Sequence, residues 1–272
     1  MASADLYAND LAEVLKLEEV DRNLFRGLNS ATARERAALY GGQVAAQSLM
    51  AAGLTVPSDR HPHSLHGYFL RPGRVDRPVI LRVDPDRDGR SFSARHVAAI
   101  QDGEVIFSML ASFQIGEPEA VLDEYPTSDA PRPDALPTNR VDAMVEIKSV
   151  THARVVDGRQ MHPDCLWART SCRLTDDALT QACGLTYLSD MGSGFGQMMW
   201  EQPNGGPSLD HAMWFHEPTR ADDWILLDMW PRKAMGIRGL YDAAMRDQEG
   251  RLVAAVAQEH LLINRLPPAP PR

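Results

Sequence analysis

The chain has 272 residues, a formal net charge of −9 at pH 7 and 44% hydrophobic residues. That length suits one large or two ordinary domains and can hide about three quarters of the extended chain's surface, so no disulfide is needed for stability. The acidic balance, with no basic stripe to offset it, argues against nucleic acid as a partner, although a local arginine cluster can still hold a small anion.

Cys165, Cys172 and Cys183 are odd in number and lack a CxxC spacing. They read as small core residues of a reducing compartment, neither a disulfide frame nor a zinc site. The N-terminal MASADLYANDLAEVL carries no basic signal region, and no apolar run reaches membrane length. The expectation is a cytoplasmic protein with no membrane contact, ending in a disordered tail at 265–272.

In chain order, LKLEEVDRNLFRG (15–27) predicts a strand, and a helix follows from Gly41 and Gly42 through QVAAQSLMAA. Strands come next at HSLHGYFL (63–70), PVILRVDPD (78–86), SFSARHVAAI (91–100) and EVIFSMLASF (104–113). Near-alternation and β-branched residues, punctuated by Pro72-Gly73, Asp88-Gly89 and Asp102-Gly103, predict antiparallel pairing through tight turns. Residues 117–140 carry five prolines and little apolar periodicity, which reads as a linker. The second half repeats the order, with strands near 144–156 and 164–173 and a helix near 176–190. Further strands are expected around 208–216, 223–230, 236–246 and 251–260.

That order is stated twice. SLHGYFLRP (64–72) is echoed by SLDHAMWFHEP (208–218), with Ser64 and Ser208 lying 144 positions apart. The turn glycines Gly103 and Gly250 lie 147 apart. The period is too long for a solenoid, so each copy is a domain-sized unit. One helix and four antiparallel strands, twice, make an α+β chain in which each sheet curls around its helix and the two sheets can run on into one. The expected domains are an N-terminal scaffold half (1–116), a Pro-rich linker (117–143) and a C-terminal half carrying the chemistry (144–264).

Three polar residues interrupt apolar patterns in the second copy. In TDDALTQACGLTYLSD (175–190), with Thr175 or Asp176 as N-cap, Leu179, Cys183 and Tyr187 make one stripe and Asp190 continues it. A carboxylate there faces apolar surroundings at the negative end of the helix dipole, unless the helix frays first and Asp190 is solvated. In RLVAAVAQEHLLI, Gln258 shares a face with Leu252, Ala254 and Val256, and a buried amide needs partners. Ser208 opens a strand on which Ser208, Asp210, Ala212 and Trp214 share a face; a turn residue is the plainer reading. Gly41 and Gly42 either present free N–H groups as an oxyanion or phosphate site or allow close packing of helix on sheet.

Taken together, YGGQVAAQSL (40–49), HSLHGYFLRPG (63–73), DGRSFSARHVAAIQDG (88–103), YLSD (187–190), SLDHAMWFHEP and VAQE (256–259) resemble the acyl-CoA thioesterase II family, from about residue 17 to 262. The resemblance implies a double hotdog fold, hydrolysis of fatty acyl-CoA without a cofactor or metal, and a homo-oligomer, dimer or tetramer. It implies catalytic roles for Asp190, Ser208 and Gln258. Many members have threonine at Ser208, and the family often has arginine at Glu217, which puts CoA affinity in question.

The residue types suit that chemistry. A thioester needs a water, a base and donors for the carbonyl oxygen, and its leaving thiol, with a pKa near ~8.5, needs no strong acid. Asp190 is the candidate base, with Ser208 and Gln258 positioning the water or carbonyl. A covalent role for Ser208 is disfavoured, because neither the helix nor the strand of Gln258 is expected to bring a histidine to it. The first copy has Ser64, but Ala111 where Gln258 stands and no carboxylate on its helix, so one hydrolytic site per chain is expected. Other classes fit less well. No G-x-S-x-G occurs, MGSGFG (191–196) lacks the context of a dinucleotide loop, and His61, His63 and His66 are oddly spaced for a metal. A hotdog hydratase would add a histidine on the helix. A non-catalytic acyl-CoA binding module is the remaining alternative, and the presence of Asp190 counts against it.

Overall fold

The computed structural model describes residues 7–116, 122–150, 154–156, 159–162, 165–192, 195, 197–198 and 205–262. The expected tail at 265–272 lies outside them. In the first half, β1 (Tyr7–Ala8), α1 (Leu11–Leu15), β2 (Glu18–Asp21), β3 (Leu24–Gly27) and β4 (Asn29–Ser30) precede the helix α2 (Gly41–Gly53). The strands β5 (Arg60–Phe69), β6 (Val79–Asp88), β7 (Phe92–Gln101) and β8 (Glu104–Ile115) follow it. The second half opens with β9 (Arg140–Val141), β10 (Val145–Ser149), β11 (Arg154–Val156), β12 (Arg159–His162) and β13 (Cys165–Thr170). After the helix α3 (Ala178–Ser189) come β14 (Gln197–Met198), β15 (Gly205–Ser208), β16 (Asp210–Phe215), β17 (Ile225–Met235), β18 (Arg238–Arg246) and β19 (Leu252–Leu262).

One 14-stranded sheet joins the halves, ordered β2-β3-β6-β7-β8-β5-β16-β19-β18-β17-β13-β10-β9, with β15 beside β19. The two halves meet where β5 pairs with β16, His211 opposite Gly67 and Met213 opposite Leu65. Helix α2 is buried from Gly42 to Gly53, because β5, β6, β7 and β8 cover one side and α3 the other. Its small residues Ala45, Ala46, Ala51 and Ala52 let these layers close on it. Its two buried amides find partners: Gln43 Oε1 accepts from the Ser30 N–H at 3.1 Å and Gln47 Nε2 donates to Leu28 O at 2.7 Å, while Gln47 Oε1 is left without one among the described residues. This is the expected double hotdog, with a continuous sheet.

The duplication is written in the pairing. Gly103 and Gly250 close equivalent turns at φ +80 and +85, in the left-handed region that favours glycine. The register shift between Ala99 and Ile100 recurs between Met245 and Arg246. Counting from these marks, Ala111 holds the place of Gln258 and Phe113 that of His260. Because Pro62 pairs with Phe113 as Ser208 pairs with His260, the counterpart of Ser208 is Pro62, not Ser64.

Several elements depart from the sequence reading. Residues 15–27 form a hairpin, β2–β3, turned at Asn23 with φ +56, where a single strand was expected. Pro72-Gly73 makes no hairpin, since β5 leaves to pair with β8 and β16 and never meets β6. Residues 122–143 are tied down: Pro131 O accepts from Trp167 Nε1 at 2.8 Å, and Arg246 pairs with Asp123 at 2.8 Å. The N-cap of α3 is Asp177, whose side chain accepts from Thr180 N, while Asp176 pairs with Arg220.

Candidate active site

Helix α3 ends at Ser189, and Asp190 is its half-buried C-cap. Both sequence readings of this residue hold in part. The helix does stop there, yet the carboxylate turns to polar partners inside the fold instead of to solvent. Ser208 Oγ donates to Asp190 Oδ1 at 3.0 Å, and Gln258 Nε2 donates to the same oxygen at 2.8 Å. The three residues named from the sequence therefore converge on one atom. Two donors on Oδ1 offset the cost of holding a carboxylate at a helix C-terminus.

The other carboxylate oxygen faces the first half of the chain. A Cβ added at Gly41 would lie 2.6 Å from Asp190 Oδ2 and 2.9 Å from the Phe69 ring, so glycine is what permits this approach. At Gly42 an added Cβ would lie 2.6 Å from Tyr187 O, which makes this glycine the contact between α2 and α3. Tyr40, the N-cap of α2, provides no side-chain cap; the Gln43 N–H goes to Tyr40 O at 3.1 Å, and the N–H groups of Gly41 and Gly42 come before that first intrahelical bond, with Gly41 beside Asp190. The close packing expected of these glycines is present, but Gly42 brings helix against helix where helix on sheet was expected. Tyr40 donates to Tyr187 O at 2.9 Å, and its ring meets Tyr187 edge-on at 5.0 Å. Removal from water raises the Tyr40 phenol well above its usual pKa, and the Asp190 charge pushes it further the same way.

Gln258 is buried, and its amide is held from behind. Gln258 Oε1 stands 2.6 Å from Tyr241 OH and 2.9 Å from His211 Nδ1, while His211 Nε2 lies 2.8 Å from Ser189 Oγ. His260 follows on the same inner face of β19, opposite Ser208, with Phe195 and Tyr241 against its ring. This strand does bring a histidine opposite Ser208, but His260 Nε2 makes no hydrogen bond among the described residues. Burial lowers the His260 pKa to about 4, so its ring is neutral near pH 7. The Ser208 hydroxyl goes to Asp190.

The strand face of Ser208 also differs from the reading. Leu209 interrupts the alternation between β15 and β16, so Ser208 points inward with buried His211 and Met213, while Trp214 is exposed. The alternation of HAMWF does separate His211 and Met213 from Trp214, but it cannot say that His211 and Gln258 face each other. That depends on how β16 and β19 register. Tyr241 and Tyr40 carried no signal distinct from ordinary core aromatics.

At the other end of the helix pair lies a cavity of about 280 Å³, lined by His61, His63, Asp176, Gln181, Phe215 and Glu217 among others. Glu217 therefore sits past the opposite end of β16 from Ser208, where Arg251 approaches it at 3.8 Å. His61 and His63 belong to this cavity, and no metal-binding group of three or more ligands occurs among the described residues.

A carboxylate held by a hydroxyl and an amide, beside the start of the neighbouring helix, is the polar centre of this double hotdog. Sequence profiles for the acyl-CoA thioesterase N-terminal domain and C-terminal domain match residues 31–114 and 122–262. The human protein acyl-coenzyme A thioesterase 8 is 34% identical over 95% of this chain and 90% of its own. Acyl-CoA thioesterase 2 of Haemophilus influenzae is 32% identical over 93% of this chain and 97% of its own. The crystal structure of the acyl-CoA thioesterase II TesB2 from Mycobacterium marinum superposes with a TM-score of 0.78 at 36% identity, covering 96% of this chain and 98% of that one. The chain belongs to the acyl-CoA thioesterase II family.

Proposed function

We propose that this protein hydrolyses fatty acyl-CoA thioesters to free acid and CoA, with Asp190 as general base. Family membership supports the substrate class. The observation that carries the mechanism is that Ser208 and Gln258 both donate to Asp190 Oδ1, which leaves Oδ2 directed at the start of α2. A water held there gives its proton to Oδ2 as its oxygen attacks the thioester carbonyl carbon. The developing oxyanion takes hydrogen bonds from the N–H groups of Gly41 and Gly42, at the positive end of α2. The carbon–sulfur bond then breaks, and the departing sulfur recovers the proton from Asp190.

Ser208 and Gln258 act here by orienting the base, a different task from the one their residue types suggested. The domain reading fits this division in part: Asp190, Ser208 and Gln258 lie in 144–264, while the half at 1–116 adds the Gly41 and Gly42 N–H groups to its scaffold role. Three free cysteines suit a reducing, cytoplasmic setting. We take the working form to be a homo-oligomer. Among the described residues no helix is long and apolar enough to cross a membrane.

The test is thiol release over a ladder of acyl-CoA lengths, for wild type and Asp190→Asn. The asparagine keeps an oxygen for Ser208 and Gln258, so the fold persists while kcat falls by about 10²–10⁴. Wild-type turnover in the variant removes Asp190 from the mechanism, and thiol release at buffer rates for every length removes the hydrolase reading.

A further inference from the structure

The hydrogen bonds around Gln258 form a closed ring that begins and ends on α3. Ser189 Oγ meets His211 Nε2 at 2.8 Å, His211 Nδ1 meets Gln258 Oε1 at 2.9 Å, and Gln258 Nε2 meets Asp190 Oδ1 at 2.8 Å. Ser189 and Asp190 are neighbours, which closes the loop. Two of the three directions in the ring follow from chemistry. An ionised carboxylate only accepts, so the amide nitrogen of Gln258 must face Asp190 and its oxygen must face His211. His211 Nδ1 therefore carries a proton. The Ser189 hydroxyl, also 2.9 Å from Thr186 O, can give its single proton to His211 Nε2 or accept one from it, so the bond survives in either case.

His211 is 1% exposed on the strand at the junction of the two halves, and its ring nitrogens meet Ser189 and Gln258. We propose that His211 is a positioning residue for the hydrolytic reaction: with Tyr241, it locks the amide of Gln258 so that its N–H group points at Asp190 Oδ1. Without that donor, rotation of the amide by half a turn would aim an oxygen at the carboxylate and repel it. The base would then turn, and Oδ2 would leave its place opposite Gly41. This inference rests on Asp190 being the base, as proposed above.

The experiment uses the full chain and steady-state thiol release with a long-chain acyl-CoA. His211→Leu fills the space but removes the donor, and is expected to lower kcat by about tenfold to a hundredfold with little change in KM. His211→Asn places an amide N–H near the position of Nδ1 and is expected to restore most of that loss. In a Gln258→Leu background, His211→Leu should lower kcat no further, because the histidine acts through the glutamine. Full multiplication of the two losses, or equal losses in the leucine and asparagine variants, overturns the proposal. Wild-type kcat in Gln258→Leu overturns it as well but leaves Asp190 standing, whereas wild-type turnover in Asp190→Asn overturns the underlying reading. If His211→Leu does not fold, His211→Asn against His211→Asp decides the matter. These two match in size and differ in the donor, and equal kcat refutes the role.

Discussion

His260 makes the acid stability of this protein predictable. The side chain is 1% exposed, packs against Phe195 and Tyr241, and has its pKa lowered by burial from 6.5 to about 4. In the unfolded chain the same imidazole titrates near 6.5. Above that pH both states are neutral and the residue contributes no pH dependence. As the pH falls below it, the unfolded chain binds a proton that the folded protein refuses, so stability drops until the pH passes the folded value. The loss is about 2 kcal/mol by pH 5 and about 3 kcal/mol by pH 4, at 1.36 kcal/mol per unit of difference. The natural replacement is phenylalanine, because the first copy places buried Phe113 at this position. His260→Phe carries its own packing cost, but that cost does not vary with pH and cancels when each protein is compared with itself. Urea unfolding at pH 7 and pH 4.5 measures the difference. Wild type should lose about 2–3 kcal/mol more than the variant over that interval. Parallel losses would mean that His260 is protonated in the folded state, and that its neutral, buried description is wrong.

Ser208→Ala removes one hydrogen bond to a charged acceptor, about 1.5–3 kcal/mol, and should lower kcat/KM by about 10- to 150-fold. Ser208→Thr keeps the hydroxyl and most activity; an acyl adduct on Ser208 in rapidly quenched wild-type reactions, seen by mass spectrometry, would instead make it the nucleophile. Gly41→Ala should reduce kcat at least about tenfold, because its Cβ displaces Asp190 Oδ2 and Phe69, while Tm changes little since alanine favours the helix. Unchanged kcat would mean that the approach of α2 to the carboxylate is unimportant. Calorimetry with a non-hydrolysable acyl-CoA should give one catalytic-type site per chain, and two equivalent sites would show that the first copy is more than scaffold.

The parts legible in the sequence are those that local pattern decides. An amide on an apolar strand face had to find partners, and a carboxylate at the end of an apolar stripe had to be explained. Gln258 and Asp190 explain each other at 2.8 Å. The halves could be aligned by their turn glycines, which are fixed by backbone conformation. What the sequence hid depends on register. The irregularity at Leu209 turned Ser208 onto the face of His211, and a shift between Pro62 and Ser64 moved its counterpart by two residues. Alternation counts residues along one strand and knows nothing of a bulge until the partner strand is in place. The pairing of His211 with Gln258, and of Gly41 with Asp190, joins segments far apart in the chain, where packing alone decides.

The site is composite: the carboxylate belongs to one copy and the helix start that faces it to the other. Two separate chains would have to meet at a sufficient concentration to build such a place, and every substitution would then appear at both ends of the helix pair. Joining them in one chain replaces that encounter with a high effective concentration. It also releases each end from mirroring the other. One end carries Gln258 and His260 where the other has Ala111 and Phe113, and the cavity beside His61 and Glu217 need not resemble the site at Asp190. Covalent linkage thus permits the asymmetry, and dilution cannot separate the two copies that build this candidate site.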